Sequence, residues 1–419
     1  MKRALGIVAD DFTGALMVAG YLEGAGLHCP VLFDPKAEVA PSPLVIAGTR
    51  TRTTPVSDAM AELRGMAETL LGLGYERLAY KACATFDSTA EGNIGPAADH
   101  LADLAGTRPV LMSAGFPRLG TTVHQGYLFY RGRLVSESIK RFDPLTPMSD
   151  PDLVRFLGLQ TPHRVSLVGH ADLVRGRDFV RAEVERLGRE GIGHILFDAS
   201  DQQDVETSAD VAAALDSVVV ASDPLIIAYA TRLASALDVA PVAHPRHAEG
   251  RAVVIAGSVG PVILAQLAAF SMRHPVLTLD LLAEGGEAGE TARALEWVRT
   301  HGDAGPVAIS TASDQAGVEA AQAALGPIGA ARRAERILGA VARELRDRAG
   351  VRRFIVAGGE TSGAVVAALG IPSVRALPEG RLGTGFCVAS GAVPLSLYLK
   401  PGKLGAEDVL LEALEVMDE

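Results

Sequence analysis

One unit recurs along this chain and limits its folds more than any other feature. It is a short apolar run, a polar or glycine-rich turn, then a segment with 3.6-residue apolar periodicity. The first copy occupies positions 5–9, turns through Asp10-Asp11-Phe12-Thr13-Gly14, and continues as a helix that stops near Gly24 and Gly26. Apolar runs at 44–47, 77–80, 110–113, 165–168, 194–197 and 225–228 read as further strands, with helical patterns between several of them. Strands joined through helices are joined by crossovers, which predicts an α/β fold with a largely parallel sheet. The low aromatic content of 5% and the 45 glycines suit Val/Ile/Ala strands that end in glycine turns.

A chain of 419 residues is too long for one ordinary core. The pattern breaks between Ala240 and Gly250, where Pro241, His244, Pro245 and His247 fall without periodicity. It restarts with apolar runs at 252–256, 276–279, 307–310 and 354–357. A boundary near residue 245 follows, giving two α/β domains, 1–245 and 246–419. The net charge of −11 argues against a nucleic-acid partner, because phosphate neutralisation needs a basic stripe. An anionic ligand must then be held by local basic groups and not by the global field. Cys29, Cys83 and Cys387 are odd in number and lack CxxC spacing, so they supply neither a disulfide framework nor a cysteine zinc cage. The ten histidines form no HxxxH or HExxH pattern, and no transition-metal site is expected. The stretch 252–270 is uncharged, but Gly257, Ser258, Gly260 and Pro261 in its middle read as strand, loop and helix start. No membrane span and no signal peptide are expected, and the expected location is the cytoplasm.

Asp10 and Asp11 follow the first strand at its carboxyl end, where open α/β sheets place their ligand crevices. Adjacent carboxylates after a buried strand are costly unless capped, paired or metal-bound. Neighbouring side chains point to different sides there, so one aspartate can face a substrate while the other caps the Thr13 and Gly14 N–H groups. Phosphoryl transfer needs a carboxylate to orient or deprotonate the attacking hydroxyl, and Asp10 is assigned that task. A cap at Asp11 beside a solvated Asp10 is the plainer alternative. The segment from Lys81 to Pro96 gathers Lys81, Asp87, Ser88, Thr89 and Asn93, a mix suited to a ligand with a carboxylate and vicinal hydroxyls. Caps and turns use the same residue types. Arg50 and Arg52 either clamp a carboxylate in fork geometry or are exposed loop arginines. His124, in a polar loop at 120–126, is expected to be a hydrogen-bonded structural residue.

In the second half, two strand-to-helix turns look alike: Val253-Val254-Ile255-Ala256-Gly257-Ser258-Val259-Gly260 and Phe354-Ile355-Val356-Ala357-Gly358-Gly359-Glu360-Thr361-Ser362-Gly363. Such turns expose unpaired N–H groups and the positive end of a helix dipole, which favours phosphate. Ser258, Thr361 and Ser362 as ordinary helix caps are the alternative. Neither turn is a Walker loop, since no lysine follows the glycines in the required place.

Together and in this order, these segments resemble the four-carbon acid sugar kinases. Ala9-Asp10-Asp11-Phe12-Thr13-Gly14-Ala15 looks like that family's opening signature. Thr85-Phe86-Asp87-Ser88-Thr89 with Glu91-Gly92-Asn93-Ile94-Gly95-Pro96 resembles its second motif. Lys81, Cys83, Gln125-Gly126-Tyr127-Leu128-Phe129 and Pro144-Leu145-Thr146-Pro147-Met148 with Asp150 are similar to its 3-oxo-tetronate kinase branch. The segment from Ala357 to Val366 is similar to the nucleotide-side signature, and Leu399 to Gly405 with Ala406-Glu407-Asp408 resembles the closing motif. The match runs from about residue 5 to 411. Departures from the family's pattern fall at Leu16-Met17, at Val259-Gly260-Pro261, at Pro401 and Lys403, and across 378–385.

The resemblance implies an acid-sugar-binding N-terminal domain and a nucleotide-binding C-terminal domain, with catalysis in an interdomain active-site cleft. It implies ATP-dependent phosphorylation of a terminal hydroxyl of a four-carbon sugar acid in carbohydrate catabolism. It assigns nucleotide contacts to Ser258, to Gly358, Gly359, Glu360 and Thr361, and to Gly402; Ser362 and Gly363 complete the second turn. Asp10 and Asp11 are then the catalytic candidates, and Arg52, Lys81, Asp87, Ser88, Thr89 and Asn93 the substrate-binding ones. ATP and Mg²⁺ are the expected cofactors, with Mg²⁺ carried by the nucleotide and needing no dedicated cage. The expected partners are the sugar acid and ATP, and a homodimer is left open. Two other readings stand beside this one. The first is a kinase for threonate, erythronate or another hydroxy acid; the second, prompted by the departures, is a non-catalytic sensor of sugar acid or nucleotide.

Overall fold

The computed structural model describes residues 3–143, 145–237, 242–302, 305–312, 315–389, 391, 393–402 and 404–419, apart from the side chain at 315. Of the positions singled out above, Pro144, Ala240, Pro241 and Lys403 lie outside the described residues. The chain forms two compact units, Met1–Val242 and Ala243–Glu419.

The strands of the first unit are β1 (Leu5–Ala9), β2 (Pro30–Leu32), β3 (Leu44–Gly48), β4 (Leu78–Lys81), β5 (Val110–Ser113), β6 (Thr121–His124), β7 (Tyr127–Tyr130), β8 (Arg133–Leu134), β9 (Val165–Val168), β10 (His194–Phe197) and β11 (Val219–Ala221). Eight of these stand in the order β2-β3-β1-β4-β11-β5-β10-β9, every neighbouring pair parallel. Such strands are covered on both faces, which is why β1, β3 and β11 read as unbroken apolar runs and are buried throughout. Val8, Val45, Leu63, Leu101 and Leu196 belong to one core. A small antiparallel sheet, β6-β7-β8, is set apart. The chain leaves β1 toward β2 and β3, then returns past β1 to form β4 on its other side. In open α/β sheets such a reversal is where ligands bind, which directs attention to the carboxyl ends of β1 and β4.

Two local expectations change. Residues 225–228 are not a strand; they lie in the helix Asp223–Ser235, and the strand of this repeat is β11 just upstream. A four-residue apolar run has no period of its own, whereas Ser222-Asp223-Pro224 is a helix start with proline in the first turn. The segment 120–126 is a hairpin arm and not a loop: β6 runs into a tight turn at Gln125 and Gly126, whose φ values of 53° and 78° are both left-handed.

The second unit contains β12 (Arg251–Ala256), β13 (Val276–Thr278), β14 (Val307–Ser310), β15 (Val351–Ala357), β16 (Ser373–Ala376), β17 (Phe386–Ala389) and β18 (Leu395–Lys400). Their order is β13-β14-β12-β15-β18-β17-β16, parallel from β13 to β18 and antiparallel at β17 and β16. Val254, Ile263, Phe270, Ile355 and Leu410 belong to its core. Here the reversal falls between β12 and β15. The uncharged stretch 252–270 is β12 followed by the helix Pro261–Ser271, and among the described residues no helix is long and apolar enough to cross a membrane. Both units are thus α/β with largely parallel sheets, as the repeating pattern predicts.

Candidate functional site

At the first reversal, the backbone itself gathers the charged groups. The Asp10 N–H donates to the Lys81 carbonyl at 3.0 Å, and the Asp10 carbonyl accepts the N–H groups of Thr51 and Arg52 at 3.1 and 3.2 Å. Arg52 then turns its guanidinium inward and donates through Nε and Nη2 to the two Asp10 oxygens at 2.8 and 2.9 Å. Its Nη2 also lies 2.9 Å from Asp11 Oδ1. The Cys83 N–H adds a third donor to Asp10 at 3.2 Å. Asp11 caps the helix Phe12–Gly24, accepting the Gly14 N–H and the Thr13 hydroxyl, each at 2.8 Å. Burial alone would push the Asp11 carboxyl up, but Arg52, Lys81 and these two hydrogen bonds outweigh it and hold the group at about 2.

Lys81 ends β4 with its side chain only 3% exposed, and its Nζ stands 3.6 Å from Asp10, 3.7 Å from Asp11 and 3.6 Å from Asp223. Burial opposes the ammonium charge, yet Asp223, Asp10 and Asp11 together raise its pKa, so it is a fixed cation. Each carboxylate lies just beyond hydrogen-bond reach, which leaves the N–H donors of Lys81 for an oxygen set between them. The approach requires glycine: a Cβ at Gly14 would sit 2.1 Å from Lys81 Nζ and 2.3 Å from Asp11 Oδ1.

The sequence reading does not single out Asp223. It opens the helix Asp223–Ser235 directly after β11, is 4% exposed, and its Oδ1 has no hydrogen-bond partner. Burial pushes its carboxyl up further than Lys81 draws it down. A signal was present, since Ala221-Ser222-Asp223 repeats the strand-then-acid pattern of Ala9-Asp10-Asp11. Reading 225–228 as a strand placed Asp223 ahead of a strand and hid the likeness.

The remaining acid-side candidates lie in the loop after β4. Asp87 is matched by Lys140, whose Nζ is 2.8 and 3.1 Å from its two oxygens, and by the Thr85 hydroxyl at 2.5 Å. Burial raises the Asp87 carboxyl, and Lys140 and Thr85 more than reverse that. Lys140, on the short turn Ile139–Phe142, is a second residue the sequence does not mark. The Gln160 amide donates to Ser88 Oγ at 3.0 Å and to the Thr89 carbonyl at 2.6 Å, while its oxygen accepts the Gly95 N–H at 2.9 Å. The Asn93 amide donates to the carbonyls of Thr51 and Thr54, tying this loop to the one that carries Arg52. Ser88 and Asn93 are buried, so these bonds shape the loop from inside. Arg50 is exposed, and His124 Nδ1 lies 2.9 Å from Ser200 Oγ.

At the second reversal the materials are different. The N–H groups of Gly257 and Ser258 reach the Ala357 carbonyl at 3.2 and 3.4 Å, and the Gly358 N–H donates to the Lys400 carbonyl at 3.0 Å. Space then demands glycine. A Cβ at Gly402 would sit 1.8 Å from Ser258 Oγ, and one at Gly358, where φ is 135°, would sit 2.7 Å from Thr361 Oγ1 and 2.9 Å from Ser258 Oγ. Ser258, Gly358, Thr361 and Gly402 therefore come together in one cradle. Neither helix that starts here, Pro261–Ser271 or Gly359–Ala368, has a side-chain cap, so their first N–H groups are left for another acceptor. The Ser362 hydroxyl instead donates to the Gly358 carbonyl at 2.7 Å inside its own helix; Gly363 is buried, and Gly359 and Glu360 are exposed. Lys400, buried at the end of β18, donates to Gln266 Oε1 at 3.0 Å and to the Pro401 carbonyl at 2.9 Å, and burial lowers its pKa to about 8.

Beside the cradle is a cavity of about 340 Å³ lined largely by apolar groups, among them Gly257, Val259, Leu279, Leu281, Val318, Ala321 and Ala334. Its walls come from separated segments that only the order β13-β14-β12 brings side by side, so no local motif announces it.

Comparison with known proteins follows the same division. Residues 5–230 match the family described as a sugar-binding N-terminal domain, and residues 253–410 match the nucleotide-binding C-terminal domain. A 3-oxo-tetronate kinase of Burkholderia multivorans is 37% identical over 424 residues, covering 100% of this chain and 98% of that protein. The chain belongs to the four-carbon acid sugar kinase family. Within this kinase family, a 3-oxo-tetronate kinase of Pseudomonas savastanoi pv. phaseolicola is 36% identical, covering 99% of this chain and 97% of its own. A crystal structure from Salmonella typhimurium LT2 superposes with a TM-score of 0.84 at 30% identity, covering 98% of both chains. One of a Haemophilus influenzae protein gives a TM-score of 0.77 at 28% identity, covering 98% of this chain and 100% of that one.

Proposed function

We propose that this chain transfers the terminal phosphoryl group of ATP to a terminal hydroxyl of a four-carbon sugar acid of the 3-oxo-tetronate kind, in carbohydrate catabolism in the cytoplasm. The observation that carries this reading is a pair of cations, the half-buried Arg52 and the buried Lys81, set among carboxylates at the first reversal of a chain whose net charge is −11. In such a chain an anionic ligand has to be met by local groups, and Lys81 has donors to spare.

In this reading the acid's oxygens accept from Lys81 and from the quarter of Arg52 that remains exposed. Asp10 orients the acceptor hydroxyl and receives its proton, with the Arg52 fork fixing the direction of both carboxylate oxygens. Asp11 holds the helix start and Arg52 in place. The loop from Asp87 to Asn93 lines the acid, shaped by Gln160 and braced by Asn93. On the nucleotide side, amides around Ser258, Gly358–Gly363 and Gly402 hold the phosphates without the desolvation cost of a second buried charge. The adjoining cavity has the size and apolar lining expected of a site for the nucleoside. Among the described residues no group of three or more His, Cys, Asp or Glu is placed to hold a metal ion, and in this reading Mg²⁺ comes with the nucleotide. Arriving with the nucleotide, the ion would offset the charge of the phosphates that the amides around Ser258 and Gly358 hold.

A coupled assay of ADP release, run with 3-oxo-tetronate, threonate, erythronate and no acid, tests the reading. Saturable release that depends on the acid is expected, greatest with the 3-oxo acid. Nucleotide binding without acid-dependent release would instead assign the chain to a sensor. In the same assay Asp10→Asn lowers turnover by about 10²–10⁴-fold if Asp10 takes the proton. A fall of less than about tenfold, with acid binding intact, would remove Asp10 from that role.

A further inference from the structure

The charge count of the nest does not suit the ligand it is read as holding. Asp10, Asp11 and Asp223 set three carboxyls against two cations, Arg52 and Lys81. With every group ionised the nest is already negative by one, and the sugar acid brings a further negative charge beside a lysine that is 3% exposed. An uncompensated charge in such a place is strongly disfavoured, so one carboxyl has to become neutral when the acid arrives.

The three carboxyls are not equal candidates. Asp10 accepts two guanidinium N–H groups and the Cys83 N–H, and Asp11 accepts the Thr13 hydroxyl and the Gly14 N–H beside Arg52. Both are thus fully engaged by donors, and those on Asp11 favour its ionised form. Asp223 is buried, its Oδ1 has no hydrogen-bond partner, and its nearest cation is Lys81 Nζ at 3.6 Å. The charged groups facing it are Asp10 from the end of β1, Asp11 from the helix start that follows, and Lys81 from β4, with Arg52 behind them. β11 contributes no titratable residue, and the helix Gln202–Leu215 directs Glu206 and Asp210 to Arg232 instead. Burial pushes the Asp223 carboxyl up and outweighs Lys81 and the residue's own backbone N–H, which draw it down, while Asp11 and Asp10 push the same way as burial.

We propose that Asp223 is a specificity-determining residue that holds the sugar acid as a neutral carboxyl, its proton drawn from solvent whenever it is ionised as the acid enters. The protonated group then donates to an acid oxygen at Lys81, the partner it lacks in the free chain, and the proton returns to solvent after the product leaves. No other bond is made or broken. A ligand without a carboxylate gains nothing from this, so the device favours acids over neutral sugars. The proposal rests on the nest being the acid site.

Calorimetric titration of the full chain with 3-oxo-tetronate and with erythronate, between pH 6 and 9, tests it in the presence of a non-hydrolysable ATP analogue. Two buffers of different ionisation enthalpy report the protons exchanged. Within that range the wild-type affinity should enter a segment where it falls about tenfold per pH unit and up to one proton is taken up per acid bound. In Asp223→Asn the segment should be flat and the uptake gone. Asp223→Ser, which keeps a helix-start residue, is read the same way should the asparagine variant fail to fold. Wild-type affinity that is flat across the range with no proton uptake overturns the proposal, as does uptake that persists in the variants. If the wild type binds the ATP analogue but neither acid at any pH, the acid-site reading itself falls.

Discussion

Both units reverse their parallel sheets in the same manner, yet they furnish the two reversals with opposite materials. At the ends of β1 and β4 the site is built from buried and half-buried charged side chains, with Arg52 forked onto Asp10 and Lys81 suspended among three carboxylates. At the ends of β12 and β15 it is built from backbone, with glycines packed so tightly that Gly402 has no room for a methyl group. The contrast teaches what each half is asked to do. A small acid with a particular arrangement of oxygens needs directional, charged partners, whereas a polyphosphate is long and uniformly charged and can be met by a row of amides. The first site should fail when a charge is removed, and the second when an atom is added.

That contrast can be broken most sharply at Lys81. Lys81→Met leaves three carboxyls without their shared cation, and stability should fall by about 3–5 kcal/mol, the range for breaking a buried pair. Turnover with the acid should fall by at least about 10²–10³-fold, while calorimetry shows ATP-analogue affinity within about twofold of wild type. Equal damage to nucleotide binding would end the division of labour. Next in size is Gly402→Ala, whose Cβ would meet Ser258 Oγ at 1.8 Å and Ser258 Cβ at 2.3 Å. Overpacking of this kind costs about 1–3 kcal/mol, so the KM for ATP should rise about 10–100-fold with acid affinity unchanged, and Ser258→Gly in the same chain should recover part of it. An ATP KM that does not move would show that the cradle is not the nucleotide's seat.

The smallest effect sharpens the comparison through pH. Lys400 is a buried cation in the second unit, and its folded pKa of about 8 lies below its ordinary 10.5. Between those values the unfolded chain holds a proton that the folded chain has released, so this lysine makes stability rise as pH rises from 8. The raised Cys29, Cys83 and Cys387 thiols act in the opposite sense as pH approaches their ordinary 9.0, but equally in wild type and in Lys400→Met, so the difference between the two isolates the lysine. Between pH 8 and 9 the stability of wild type relative to Lys400→Met, from denaturant titrations, should rise by about 1 kcal/mol. A variant with the wild-type slope would mean that Lys400 is not the group titrating. Lys81, whose pKa is raised by its carboxylates, contributes no slope in this window, which again separates the two halves.

The parts of this arrangement legible in the sequence were those written locally. Asp10, Lys81, Ser258 and Gly358 each follow a strand, and strand-then-turn-then-helix is a pattern within reach of a dozen residues. Asp223 belongs to the same class and escaped because a short apolar run carries no period, so Leu225 to Ala228 passed for the strand that β11 is. Lys140 and Gln160 reach the acid-side loop from turns more than fifty positions away, and nothing local marks them. Gly402 was known from family resemblance alone, because its need for glycine is set by a serine from β12's turn across the order β12-β15-β18. The cavity beside it was invisible for the same reason.

Hydrogen exchange of the full chain bears most directly on the central claim that each unit reads its own ligand. The amides to watch are 10–14, 51–54 and 82–95 in the first unit, and 257–263 and 358–363 in the second. 3-Oxo-tetronate should slow exchange in the first set, and a non-hydrolysable ATP analogue should slow it in the second. An analogue that protects residues 10–14 and leaves 257–263 and 358–363 unchanged would contradict the account.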